Sequence, residues 1–139
     1  MADCIQENLA DCYDLITWVP ISRKRLRKRG YDQARLLAKS VAEYLGQPLV
    51  STLVKRVDTP AQSGIDDPLQ RAENVRNVYA AVLPERIVGK RILLIDDVIT
   101  TGSTLESGAS VLRHAGAATV VCCTLACTTF SEEKQELVV

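Results

Sequence analysis

The run Ile92-Leu93-Leu94-Ile95 leads straight into two adjacent carboxylates, Asp96 and Asp97, and this junction restricts the fold more than any other stretch. Four apolar residues without alternation read as a strand covered on both faces, which is the habit of a parallel sheet. Residues 118–126 (ATVVCCTLA) repeat the pattern. Between the two runs, residues 104–115 place Leu105, Ala109, Leu112 and Ala115 at helical spacing, and Gly116 follows as a stop. A strand 91–96, a helix 104–115 and a strand 118–126 make a parallel crossover unit.

The first half of the chain has the same grammar. Residues 13–20 (YDLITWVP) read as a short buried strand ended by Pro20. Residues 32–45 read as a helix through Ala34, Leu37, Ala38, Val41 and Leu45, with Gly46 and Pro48 as its stop. Residues 48–56 and 78–83 are further strand candidates, the latter leading back to the sheet. Residues 57–76 combine two prolines, a glycine and four acidic residues with poor periodicity, so they read as a long, flexible functional loop. The expected fold is α/β: a mostly parallel four- to five-stranded sheet flanked by helices. At 139 residues the chain is read as one domain, 1–139. Residues 131–139 suggest no role.

Charge is unevenly placed. Residues 23–29 (RKRLRKR) hold six of the 17 basic residues, leaving 11 basic against 17 acidic elsewhere. A cationic block on an acidic remainder points to one local anionic partner rather than a surface coated for nucleic acid. The alternative is a solvated basic face. The block is read as a loop after Pro20. Cysteines at 4, 12, 122, 123 and 127 form no Cys-x-x-Cys pair and have only His114 to join them, so no metal site is expected and they read as buried and reduced. No apolar run approaches the ~18 residues of a membrane span, and the acidic N-terminus is unlike a signal peptide. A cytoplasmic location is expected.

Residues 100–104 suggest what the anion is. Thr100, Thr101, Ser103 and Thr104 offer hydroxyls, Gly102 allows close approach, and the helix that starts there presents free N–H groups. The stretch reads as a phosphate cradle, although Ser103 with Glu106 also fits a capping box. The Gly-Lys-Ser/Thr ending of a P-loop is absent. Carboxylates three to seven residues before the cradle suit the paired hydroxyls of a ribose. The molecule that satisfies all three features is a ribose 5-phosphate carrying a second phosphate group toward the basic block. Alternatively the acidic pair holds magnesium.

Residues 92–105 (ILLIDDVITTGSTL) closely resemble the binding motif for 5-phosphoribosyl-1-pyrophosphate (PRPP) of type I phosphoribosyltransferases. Residues 18–38 (WVPISRKRLRKRGYDQARLLA) resemble the Val-Pro…Arg-Gly-aromatic-Asn-Gln segment of the ComF family of competence-related proteins. Residues 59–75 resemble its Thr-x-x-Gln and Arg-x-x-Asn-Val segment. Asp32 stands where that family usually has Asn, and the family's N-terminal zinc-binding cysteine element has no counterpart here.

The resemblance implies a type I phosphoribosyltransferase fold and transfer of the phosphoribosyl group of PRPP, with magnesium, to a nucleobase-like acceptor. It implies that residues 100–104 hold the 5-phosphate and that Asp96 and Asp97 hold the ribose hydroxyls, with Asp97 as a candidate base. Arg23, Lys24, Arg25 and Arg29 become candidates for pyrophosphate, and Gln62 and Arg71 for completing the site from loop 57–76. The ligand is PRPP or a nucleoside monophosphate, and a homodimer is compatible with this. The other reading is an accessory role in DNA uptake, with single-stranded DNA or competence proteins as partners and little turnover.

Overall fold

The computed structural model describes residues 1–56, 78–99 and 101–128. The expected loop 57–76 with Gln62 and Arg71, Thr100, and the tail 131–139 lie outside the described residues. The chain runs α1 (Ala2–Leu9), β1 (Leu15–Trp18), α2 (Arg23–Arg29), α3 (Gln33–Leu45), β2 (Leu53–Lys55), β3 (Tyr79–Ala81), α4 (Pro84–Ile87), β4 (Arg91–Ile99), α5 (Ser103–His114) and β5 (Thr119–Cys127).

β4 is the centre of the parallel sheet, between β1 and β5. Leu15 to Trp18 face Ile92 to Ile95 on one side, and Thr119 to Cys127 run beside Arg91 to Ile99 on the other. The unalternated apolar run is explained by what covers it. Ile92 and Leu94 pack with Leu105, Ala109 and Leu112 of α5. Leu93 and Ile95 pack with Ala34, Ala38 and Val41 of α3 on the opposite face. Ile92, Leu93, Leu94 and Ile95 are fully buried; burying each is worth roughly 1.5–3 kcal/mol. The β1 and β4 starts are pinned together by Asp14, whose Oδ1 meets Arg91 Nη2 at 2.8 Å and whose Oδ2 accepts the Arg91 N–H at 2.8 Å. Those hydrogen bonds hold the Asp14 carboxyl down at about 2.

The α/β class and the parallel sheet follow the expectation, but several local readings are corrected. The stretch 78–83 does not return to the parallel sheet. Its strand β3 pairs antiparallel with β2, Leu53 opposite Ala81 and Lys55 opposite Tyr79. Leu49 adds an isolated parallel bridge to Ile16 on the outer side of β1. The basic block is not a loop but the helix α2. Ser22 caps it, accepting the Arg25 N–H at 3.2 Å, and Gly30 ends it with φ of 80°. Arg, Lys and Leu are all good helix formers, so capping at both ends suffices. Charge clustering hid that. The cysteines are free but not buried: Cys4, Cys12 and Cys127 are exposed, and Cys122 and Cys123 are half-buried. β5 is an edge strand among the described residues and is half-buried to exposed along its length, unlike β4.

Candidate active site

The topology decides where a ligand can sit. From β1 the chain crosses through α3 to Leu49 on one side; from β4 it crosses through α5 to β5 on the other. The order reverses between β1 and β4, and in α/β sheets the crevice at such a point, beyond the carboxyl ends of the strands, receives ligands. A cleft of about 230 Å³ lies there. Val19, Pro20 and Ile21 continue β1 into its wall, and Asp96, Asp97 and Val98 come from β4.

Asp96 is held in the strand with only 8% of its surface exposed. Its Oδ1 accepts the Asp97 N–H at 2.9 Å, and Oδ1 of Asp97 accepts the Val98 N–H at 2.9 Å. Burial, and next a side-chain hydrogen bond with Asp97, push the Asp96 carboxyl up to about 7. This is the behaviour of two crowded carboxylates that await a donor or a cation. Asp97 is more open.

α2 distributes its cations by helical spacing. Arg25 and Arg29, four apart, line the carboxylate cleft. Arg23 and Leu26, three apart, line a neighbouring hollow. Lys24 lines neither, nor do Arg27 and Lys28, and all three are exposed. Of the four basic candidates, the structure therefore brings Arg25 and Arg29 to the carboxylates and leaves Arg23 and Lys24 aside.

The cradle residues divide as well. Thr104 lines the cleft. Thr101, Gly102 and Ser103 line a separate cavity of about 390 Å³ with Glu106, Arg113 and Cys122, between α5 and β5. The capping box does not form. Gly102, at φ 81°, is the N-cap, and Ser103 is the first helical residue. Ser103 and Thr101 hydroxyls bond each other, and Glu106 pairs instead with Arg113 at 3.0 Å. Gly102 supplies no side-chain cap, and at the head of α5 the Ser103 N–H donates to Thr101 Oγ1 at 3.4 Å; the end of a helix in this form suits an anion.

Three wall residues carried no motif. Lys55, at the end of β2, lies 5.8 Å from the ring centre of Tyr79. Tyr79 is buried, and burial, then the nearby Asp96 charge, push its phenol up to about 12. Asp32, flagged only as a departure from the ComF pattern, is buried; its oxygens accept the Ile21 N–H at 3.2 Å and the Arg35 N–H at 3.3 Å. It caps α3 and fixes the loop after Pro20. Lys55 and Tyr79 arrive through the β2–β3 pairing, which no short-range pattern announces.

The phosphoribosyl transferase domain model matches residues 32–137. The chain belongs to that family. Within it the chain is of the ComF group. It is 39% identical over 100 residues to competence protein F of Haemophilus influenzae, covering 70% of this chain and 43% of that protein. It is 36% identical over 107 residues to the DNA utilization protein YhgH of Salmonella typhi, covering 77% and 46%. The chain therefore spans less than half the length of these curated relatives. Among solved structures, the glutamine PRPP amidotransferase of B. subtilis, complexed with ADP and GMP, matches with a TM-score of 0.62 and 25% identity, over 88% of this chain and 24% of that one. A phosphoribosyltransferase fold of the ComF type thus carries the carboxylate pair at its topological switch point.

Proposed function

We propose that the cleft binds PRPP and supports transfer of its phosphoribosyl group to a nucleobase-like acceptor with release of pyrophosphate. The observation that carries this reading is the convergence of Asp96, Asp97, Arg25, Arg29 and Thr104 on one cleft. In this reading the head of α5 holds the 5-phosphate, with Thr100 to Thr104 as its hydroxyls. Asp96 and Asp97 accept from the ribose hydroxyls, and Arg25 and Arg29 hold the pyrophosphate. An acceptor nitrogen gives its lone pair to C1. The C1–O bond breaks, its electron pair leaves with pyrophosphate, and the nitrogen's proton passes to a pyrophosphate oxygen. The two carboxylates stabilise the positive charge that grows on the ribose, and the two guanidinium groups the negative charge on pyrophosphate.

The donor set fits magnesium. Two adjacent carboxylates supply hard oxygens, and among the described residues no cluster of three His, Cys, Asp or Glu forms a protein-only metal cage. Magnesium is commonly held by one or two carboxylates, water and phosphate oxygens, so Asp96 and Asp97 would hold it, through water, against the ligand. When bound it supplies charge neutralisation on pyrophosphate.

Calorimetric titration with PRPP and magnesium tests the reading on the parent and on Asp96→Asn with Asp97→Asn. Binding by the parent and a loss of at least ~10-fold in the double variant is expected. Equal affinity would exclude ribose recognition by the pair. Nucleoside monophosphates, the product class, are expected to bind the same cleft.

A second reading is favoured by the relatives' names, competence protein F and DNA utilization protein. In it the exposed Lys24, Arg27 and Lys28 of α2 hold the phosphates of single-stranded DNA, and turnover is secondary. Single-strand affinity with a steep salt dependence, in a protein that does not bind PRPP, would select it. Either role suits a cytoplasmic protein, as a monomer or homodimer; among the described residues no helix is long and apolar enough to cross a membrane.

A further inference from the structure

Among the described residues, Tyr79 is the one aromatic side chain on the wall of the carboxylate cleft. It is buried in the cluster that holds Leu53, Leu105 and Ala109, and only 6% of the residue is exposed. Across the β2–β3 pairing it stands opposite Lys55, whose Nζ lies 5.8 Å from the ring centre. Core packing on one side and a cation over the ring on the other hold the ring in place.

The hydroxyl needs a separate account. An apolar cluster gains nothing from it, and an O–H taken out of water without a partner is costly. Among the described residues Tyr79 Oη makes no hydrogen bond. Nor does any side-chain oxygen that is shut off from solvent lack a partner there. The hydroxyl therefore keeps the small opening that Tyr79 has, and that opening gives onto the cleft.

The charges that act on the phenol show what surrounds it: Asp96, Arg25 and Asp32. Asp32 is already engaged, since its oxygens accept the Ile21 and Arg35 N–H groups. Asp96 and Arg25 are the groups read above as holding the ribose and the pyrophosphate. With its phenol pushed up to about 12, Tyr79 keeps its proton at neutral pH and serves as a donor, not a base.

We propose that Tyr79 is a further catalytic residue of this cleft, donating its O–H to the oxygen that joins C1 of the ribose to pyrophosphate. That oxygen is the part of the ligand between the ribose at Asp96 and the phosphates at Arg25. When the C1–O bond breaks, the electron pair stays on this oxygen and its negative charge grows, so the hydrogen bond strengthens in the transition state. The phenol keeps its own proton, and the proton of the acceptor still passes to a pyrophosphate oxygen. The ligand also accounts for the residue type: Phe fills the same core, and only a ligand oxygen gives the hydroxyl a partner. This inference rests on the phosphoribosyl-transfer reading, and it adds to that site a residue from β3 that no motif contains.

Tyr79→Phe removes the O–H and keeps the ring. The parent chain and the variant are titrated by calorimetry with PRPP and with AMP, both with magnesium, and are melted without ligand. AMP carries a nitrogen, not an oxygen, at C1. The variant is expected to lose ~10-fold or more in PRPP affinity and to keep AMP affinity within about 2-fold. Its melting temperature is expected to equal or exceed that of the parent, because the lost hydroxyl had no partner in the free protein.

Unchanged PRPP affinity in the variant, with a parent that binds PRPP, overturns the role of Tyr79 and leaves the phosphoribosyl-transfer reading standing. Equal losses for PRPP and AMP put the hydroxyl on the ribose or its 5-phosphate and overturn the proposal. A melting temperature several degrees lower reveals a partner within the protein and overturns it as well. A parent that does not bind PRPP overturns the proposal and the reading beneath it together.

Discussion

Asp97 donates its backbone N–H to Oδ1 of Asp96 across 2.9 Å, so the pair is locked side by side at the end of a buried strand. The strand holds the two carboxylates together, with Arg25 and Arg29 on the wall of the same cleft. Stability is the quantity that suffers.

The Asp96 carboxyl is pushed from 3.8 to about 7 on folding, chiefly by burial. Between these values the folded chain binds more protons than the unfolded one, so stability falls as pH rises through about 4 to 7 and is flat above. Asp96→Asn removes the titration. Its melting temperature is expected to match the parent near pH 4 and exceed it by several degrees at pH 8. The shift caps the gain at about 4 kcal/mol, and solvent around the pair lowers it. Thermal denaturation of both proteins across this range checks the sign; a gain that is constant with pH removes Asp96 as the cause.

Arg25 and Arg29 share the cleft with the carboxylates, and Lys24 does not. If they hold pyrophosphate, Arg25→Ala or Arg29→Ala lowers affinity for PRPP far more than for AMP, which has no pyrophosphate at C1. A charge-assisted contact of ~1.5–3 kcal/mol predicts a loss of roughly 10- to 150-fold. Lys24→Ala is expected to change PRPP affinity by less than about 2-fold and to flatten the salt dependence of any single-strand binding. Calorimetry with both ligands at two salt concentrations measures all three, and equal losses for PRPP and AMP would end the pyrophosphate role.

Gly102 begins α5 at φ 81°. A side chain there has room, since the nearest atom to an added Cβ is Ile99 Cδ1 at 3.6 Å. The strain is in the backbone, because a β-branched residue strongly disfavours positive φ. Gly102→Val is expected to reshape the head of α5 and abolish 5-phosphate binding, whereas Gly102→Asn, which tolerates this conformation, keeps part of it. AMP titration of the two variants compares them; equal binding by Val and Gly would detach phosphate recognition from this turn.

Thr17 and Thr52 bond hydroxyl to hydroxyl at 2.8 Å in the interior, with 1% and 0% exposure. Thr52→Val leaves the Thr17 hydroxyl without its partner and is expected to cost about 1–3 kcal/mol. Adding Thr17→Val is expected to restore much of that loss, because the polar group is then gone as well. A double-mutant cycle in urea gives the coupling.

The sequence by itself determined the parallel sheet, the helices 33–45 and 103–114 to within a residue or so, and the family. Each rests on local information: four apolar residues in a row at Ile92–Ile95, a 3.6 period through Ala34, Ala38 and Val41, and a motif confined to residues 92–105. Only the tertiary structure decided which members of α2 reach the carboxylates. Six basic residues are equivalent in composition, and it is the helical rotation, capped by Ser22 and Gly30, that turns Arg25 and Arg29 inward and Arg23 toward the neighbouring hollow. Lys55 and Tyr79 needed the antiparallel pairing of two strands distant in sequence. The perturbed Asp96 needed the whole cleft around it, whose walls come from the end of β1, from α2, α3, β2 and β3 and from the head of α5, and so belong to no single stretch of chain.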